Sequence, residues 1–345
     1  MTDAAAGPVN TADEREITEP VALLLPNGRQ NPDAIGWTRH QLHNTDSLGR
    51  GLYAWGRNKR WEYWGITTPT HVIALTIAGL DFASLHQLWV LDRRTLTPID
   101  TVVIGPLGRN VTLPGTLGTG PSRARGKRLS IDMDEVDGGT RLRAESARVR
   151  LDVIATIPEN HEAPGTSSPF SDRLAQYTVK DVDRPTVGRL WVDGEEFAVP
   201  AGESWAVLDH ARARSPYGTH WNWGAGAGLT DGKRIGLQLG GGGKRCRGPS
   251  QNAFTVDGRV HKVAELLNWE YDTDDWLAPW RIHSARVDLT FTPFYDRFST
   301  MNFVVIGSRT HQCFGHYSGW LRDDAGERIR VDGVVGWAED VHNRW

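Results

Sequence analysis

The chain is short of cysteine, of basic blocks and of long apolar runs, and each shortage excludes a class of protein. Its 345 residues hold two cysteines, Cys246 and Cys313. Two thiols supply neither a disulfide framework nor a cysteine-rich zinc site. Net charge is −3, and the one basic run is Arg123-Ala124-Arg125-Gly126-Lys127-Arg128. A dedicated nucleic-acid binder carries a basic stripe, so nucleic acid is not an expected partner and this run reads as a solvated loop. No apolar stretch approaches the roughly 20 residues of a membrane-spanning helix; Leu23-Leu24-Leu25 is far too short. The N-terminus lacks the basic start and apolar centre of a signal peptide. A cytoplasmic protein with a disordered tail over residues 1–20 is therefore expected.

Catalytic and cofactor signatures are missing too. There is no G-x-S-x-G elbow, no H-E-x-x-H and no G-x-G-x-x-G opening a helix. Gly240-Gly241-Gly242-Gly243 is followed by Lys244-Arg245 rather than the Lys-Ser/Thr of a phosphate loop, so it reads as a close-packed turn or loop. His311 and His316 stand five apart, His210 and His220 ten apart. Neither spacing is a tight zinc pattern. No cofactor and no metal are expected, with a site built from distant strand-borne histidines left open.

Helical periodicity is equally scarce, with short helical pieces expected only near 258–267 and 333–343. What is abundant is turn chemistry: 38 glycines, 18 prolines and Asp-Gly pairs at 137–138, 193–194, 231–232, 257–258 and 332–333. Asp-Gly between strand-like runs marks a hairpin, because both residues tolerate positive φ. Leu190-Trp191-Val192 and Phe197-Ala198-Val199 flank one such pair, and Phe254-Thr255-Val256 and Val260-His261-Lys262-Val263 another. Many short strands between turns predict an all-β protein, a sandwich or barrel. The charged, proline-terminated segment Lys180–Pro185 reads as a boundary, giving units at 21–185 and 186–345.

One stretch concentrates chemistry. Residues 208–228 hold Asp209, His210, Arg212, Arg214, Tyr217, His220, Trp221, Asn222 and Trp223. Polar groups converging inside an aromatic lining are the usual wall of a small-molecule site. The same tryptophans also suit an ordinary core, with His220 bound to a backbone carbonyl. Strand alternation puts Asp209 and His210 on opposite faces, and separates His220 and Asn222 from Trp221 and Trp223. Which face meets the pocket stays open. Gln238 alternates with Leu237 and Leu239 and reads as a polar group facing the pocket. Arg281–Phe291 reads as a strand that presents His283. In the run 311–316, either His311 with Cys313 and Gly315, or Gln312 with Phe314 and His316, faces the pocket.

These residues carry a family resemblance. Leu208-Asp209-His210-Ala211-Arg212, Pro216-Tyr217 and His220-Trp221-Asn222-Trp223-Gly224 resemble the signature of a bacterial family of uncharacterised proteins catalogued as domain of unknown function 2804. Ile235–Gly240 followed by Gln251-Asn252-Ala253-Phe254 is similar to its next block, and 336–345 to its last. The resemblance covers about residues 20–345. Ser215 departs from it, standing where a bulky aromatic is expected. More distantly, the family is similar to a lipocalin-like group that includes carotenoid hydratases and fungal pericyclases, tandem β-barrel proteins with apolar ligands at or between the barrels. The resemblance implies two lipocalin-like antiparallel β-barrel or half-barrel units with few short helices. By itself it carries no activity.

The expected function is a cofactor-independent acid–base enzyme on an apolar small molecule: hydration, isomerisation or cyclisation of an alkene-bearing lipid, terpenoid or secondary metabolite. Asp209 is the expected proton donor, since a shielded carboxyl can acquire a raised pKa. His210 or His220 would position it or relay protons. Trp221 and Trp223 would stabilise positive charge through their π faces. Arg212, Tyr217, Asn222, Gln238, Asn252, His283 and His311 complete the expected substrate-binding set. A non-catalytic lipid or pigment carrier remains an alternative. So does a carboxylate-based hydrolase or glycan-active enzyme pairing Asp209 with Asp288 or Asp231.

Overall fold

Four of the five Asp-Gly pairs turn the chain as expected. The computed structural model describes residues 14–49, 54–241, 248–303 and 306–344. Asp137-Gly138 joins strands Leu129–Val136 and Gly139–Ser146. At 193–194, 231–232 and 257–258 both residues take positive φ, the twist a two-residue hairpin requires. Asp332-Gly333 is different. It lies inside the continuous strand Arg328–Arg344, opposite a register shift between Tyr317 and Gly319, so there the pair makes a bulge.

The expected helical pieces are not helices: the first is a short strand followed by irregular chain over 263–267, and the second is strand. Residues 259–262 complete the hairpin after Asp257-Gly258, and 333–343 belong to the C-terminal strand. That strand is buried over 336–341. Val334 and Ala338 pack into one core and Trp337 into another, so both of its faces carry apolar residues. Arg281–Phe291 is likewise not one strand but a hairpin, Trp280–His283 against Val287–Phe303, closed by Ser284 N–H donating to Val287 C=O at 2.7 Å. Among the described residues the one helical element is a short 3-10 turn, Pro32–Ala34, and no helix is long and apolar enough to cross a membrane.

Two curled antiparallel half-barrel sheets make up most of the described residues, beside a two-stranded parallel pair of Val21–Ala22 with His43–Asn44. The first has 14 strands, and at its centre Asn58–Thr67, Trp205–Arg214 and Ala175–Val192 lie side by side. The second has nine, with Gly218–Thr230, Arg328–Arg344 and Ile306–Arg322 at its centre. The chain passes between them at 215–217, not at 185/186. The expected boundary falls inside Ala175–Val192, whose register shifts between Asp181 and Arg184. Its charges are buried rather than solvated: Arg184 Nη1 donates to Asp181 at 2.6 Å, and Asp181 also pairs with His161 at 2.6 Å. A run that pairs its own charges can enter a core, which composition alone does not reveal. The expected tail is corrected in part as well. Residues 1–13 lie outside the described residues, but Ile17 is buried and its N–H donates to Trp37 C=O at 2.8 Å.

Each sheet wraps its own apolar core, around Trp64 and Ile66 in the first and Phe291 and Tyr317 in the second. A third core joins them, built from Tyr63, Val207, Trp223, Phe314 and Trp337. Gly65 is part of that join: a Cβ there would overlap the Trp337 indole. Gly65→Ala is expected to destabilise the protein by about 1–3 kcal/mol, the usual cost of overpacking. Chemical denaturation measures it. A loss below roughly 0.5 kcal/mol would mean that the indole has room to move.

Candidate functional site

Alternation along Trp205–Arg214 decides where its polar residues go. Asp209 shares a face with Trp205 and Val207 and points to the join between the sheets. His210 and Arg212 point into the first half-barrel. Asp209 is flanked in register by Lys180 and Tyr63. Lys180 Nζ lies 2.8 Å from Asp209 Oδ1, both side chains being only 9% exposed. Trp61 Nε1 donates to Asp209 Oδ2 at 3.1 Å. The Lys180 ammonium also sits 4.0 Å from the Trp223 ring centroid. One sheet thus supplies the ion pair and the other the aromatic face that receives its cation.

The second sheet brings a further acid. Glu339, in register between Trp223 and Gln312, shares their face. Gln312 Nε2 donates to Glu339 Oε1 at 2.6 Å and to Tyr63 Oη at 3.1 Å, and Arg297 Nη1 donates to Gln312 Oε1 at 3.0 Å. Tyr63, Trp223 and Trp337 meet edge to face with centroids 5.3–5.8 Å apart. Burial pushes the Glu339 carboxyl up; Lys180 opposes the rise, Asp209 adds to it, and the result is a pKa of about 8. Burial, reinforced by the Glu339 charge, also raises the Tyr63 phenol. Trp223 Nε1 donates to Gln238 Oε1 at 2.8 Å. Among the described residues, Gln238 Nε2 and Trp337 Nε1 are buried donors with no hydrogen-bond partner. A buried donor left unpaired costs about 1–3 kcal/mol.

The expected triad of Asp209, His210 and His220 does not assemble. His210 lies inside the first half-barrel, Nδ1 being 3.4 Å from Glu62 Oε1. Burial and the Arg212 charge push its pKa down to about 4, so the imidazole is neutral. Arg212 is fully buried, 3.1 Å from Glu62 and donating to Pro114 C=O at 2.8 Å. It closes a polar network inside the half-barrel, away from the join. His220 lies on the face of its strand opposite Trp223 and pairs with Asp340 at 3.2 Å. A period of two forbids two neighbours from sharing a pocket unless a bulge intervenes, and none occurs there.

The remaining expected residues divide. Trp221 and Trp223 pack into the joining core, and Gln238 faces it. Asn222 points the other way, its Nδ2 donating to Tyr271 Oη at 3.0 Å. Asn252 braces a loop, accepting from Gly240 N at 2.6 Å and donating to Glu265 C=O at 2.9 Å. His283 pairs with Glu270 at 2.9 Å near the sheet edge. His311 pairs with Asp296 at 2.8 Å and stacks on Trp276 at 3.8 Å. Tyr217 is exposed in the linker, under Arg57 at 5.8 Å. Asp231 and Asp288 form surface pairs with Arg330 and Arg281, so neither is a carboxylate partner of Asp209. Of the glycine run and its basic sequel, 242–247 with Cys246 lie outside the described residues.

Sequence reasoning missed Lys180, Glu339, Tyr63, Trp61 and Arg297, and named Gln312 only as one of two options. Trp61-Glu62-Tyr63-Trp64 was a usable signal: alternation sends Glu62 inward to Arg212 and Trp61 and Tyr63 toward Asp209. A cleft of about 220 Å³ opens at one end of the join, lined by Thr67, Arg93, Trp205, Ala227 and Val335 among others.

No curated protein matches the sequence. Among solved structures the chain is similar to a Nitrosomonas europaea protein assigned as AttH, at 13% identity and TM-score 0.50, covering 94% of this chain and 98% of that one. It is similar to kievitone hydratase from Nectria haematococca at 14% identity and TM-score 0.50, covering 88% and 94%. It is also similar to CghA with Sch210972, at 12% identity and TM-score 0.50, covering 83% and 88%. At these identities the likeness is one of fold. The model of the family described as Domain of unknown function (DUF2804) matches residues 14–345, and the chain belongs to that family.

Proposed function

We propose that the join between the half-barrels is the active site of a cofactor-independent acid–base enzyme acting on an apolar small molecule. The observation that supports it is Glu339: a buried carboxyl held by Gln312 inside an aromatic box, on the same join as the buried Lys180–Asp209 pair. A carboxyl that stays protonated at neutral pH is a proton donor. The indole faces of Trp223 and Trp337 stabilise the positive charge that protonating an alkene creates. Asp209, expected as the donor, is here the ion-paired partner that holds Lys180 and accepts from Trp61. Glu339 takes the donor's role. The cleft beside Trp205 is the proposed way in, about 13 Å along the strand from Asp209 at 3.3 Å per residue.

Acid-catalysed hydration, isomerisation or cyclisation of an alkene-bearing lipid, terpenoid or secondary metabolite begins with such a proton. A solved structure of this fold is named a hydratase, which agrees with that chemistry. A carrier needs no buried ionisable cluster, whereas this join is built around one. The presence of two carboxylates, Asp209 and Glu339, is what favours a carboxylate-based hydrolase as the second reading.

The test is to incubate the protein with a panel of apolar alkenes in deuterium oxide. Carbon-bound deuterium in the product, read by mass spectrometry, is expected; turnover without it removes the proposal. The pH profile carries the sign. Protonated Glu339 is the active form, so turnover holds below its pKa of about 8 and falls above it, by about tenfold per pH unit. Turnover that rises through that range would contradict the assignment.

A further inference from the structure

On the face of the second sheet opposite Glu339, three side chains converge. His220 and His342 are cross-strand partners on Gly218–Thr230 and Arg328–Arg344. Their rings stack with centroids 4.0 Å apart. Asp340, two residues before His342, shares that face. Its Oδ2 is 3.2 Å from His220 Nε2 and its Oδ1 is 3.0 Å from His342 Nε2. The three donor atoms all lie within 4.8 Å of one another. Ligand atoms bonded at about 2.0–2.2 Å around a tetrahedral ion stand about 3.3–3.5 Å apart.

We propose that His220, Asp340 and His342 form a binding site for a divalent transition-metal ion of the zinc type. Two imidazoles and a carboxylate are a ligand set that zinc takes, leaving one position to solvent or substrate. The groups behind the ligands support this. Tyr271 Oη donates to Asp340 Oδ2 at 2.6 Å, and Asn222 Nδ2 donates to Tyr271 Oη at 3.0 Å and to Glu339 C=O at 3.1 Å. Tyr271 is itself fixed by stacking on Trp280 at 4.2 Å. A carboxylate aimed by a part-buried chain of hydrogen bonds is how metal ligands are usually oriented. Access is open, since the Asp340 side chain is 5% exposed whereas those of His220 and His342 are 41% and 47% exposed.

One group competes for the site. Arg309 Nη2 lies 3.3 Å from Asp340 Oδ1, on a half-exposed side chain that can turn outward. The ion would take over the charge compensation that Arg309 now supplies. The proposal does not depend on Glu339 being a proton donor, because the two groups leave the strand on opposite faces.

The experiment is calorimetric titration of the chelator-treated full chain with zinc chloride, with cobalt(II) absorption as a second readout. One ion per chain is expected. His220→Ala and His342→Ala should each abolish stoichiometric binding, with an unchanged circular dichroism spectrum as the check on folding. Tyr271→Phe should weaken binding by about 10–100-fold, the usual effect of losing a group that orients a ligand. Arg309→Gln should tighten it. No stoichiometric ion in the wild type would overturn the proposal. So would undiminished binding in the double variant His220→Ala/His342→Ala, which would place the metal elsewhere.

Discussion

Replacing Glu339 with glutamine is expected to lower turnover by about 10²–10⁴, the usual worth of a positioned proton donor. The amide has the shape of the acid, and its carbonyl oxygen can still accept the 2.6 Å hydrogen bond from Gln312. What it lacks is a proton to give. Because the carboxyl already sits near pKa 8 and is neutral at pH 7, the exchange replaces one neutral buried group by another. Denaturation midpoints should therefore move little, and ligand affinity, read through quenching of Trp223 and Trp337 fluorescence, should stay within a few fold. Asp209→Asn is the comparison. It removes the counter-charge of Lys180 and should act on stability as well as on rate. If Asp209→Asn stops turnover while Glu339→Gln leaves it intact, the donor is Asp209 and the two roles are reversed.

Much of this was legible in local patterning. Asp-Gly pairs located four hairpins, because the turn requires residues that accept positive φ. Alternation correctly separated Asp209 from His210, and Trp223 from His220. It could not say which face looks toward the other sheet, since that is set by the packing of sheet on sheet. Lys180 was hidden for a different reason. It stands in a charged segment ending in proline, the composition of a linker, and the bonds of Asp181 to Arg184 and His161 and of Arg184 to Thr156 C=O let that segment be a buried strand. Glu339 was hidden because its strand is buried on both faces, so neighbouring acids carry no parity signal; the next residue, Asp340, serves the opposite face. The second unit's start also escaped notice, because the linker 215–217 is only three residues long.

Lys180→Met is expected to destabilise the protein by about 3–5 kcal/mol, the cost of breaking a buried ion pair from one side. Met matches the lysine stem in length, so the packing change is small and the loss is electrostatic. It has two sources. Asp209 keeps a charge in a site only 9% exposed, and Trp223 loses the cation that lies 4.0 Å from its ring centroid. The first source should dominate, since a desolvated cation–π contact is worth about 2 kcal/mol. The double variant Lys180→Met/Asp209→Asn separates the two sources. Asparagine keeps an acceptor for the Trp61 indole N–H but carries no charge, so it should recover most of the lost stability. Replacing both partners of a buried pair is often near neutral. Urea denaturation at neutral pH measures all three proteins. If Lys180→Met costs under about 1 kcal/mol, the value typical of exposed pairs, then water screens Lys180 and Asp209, and the join between the sheets is wetter than its geometry implies.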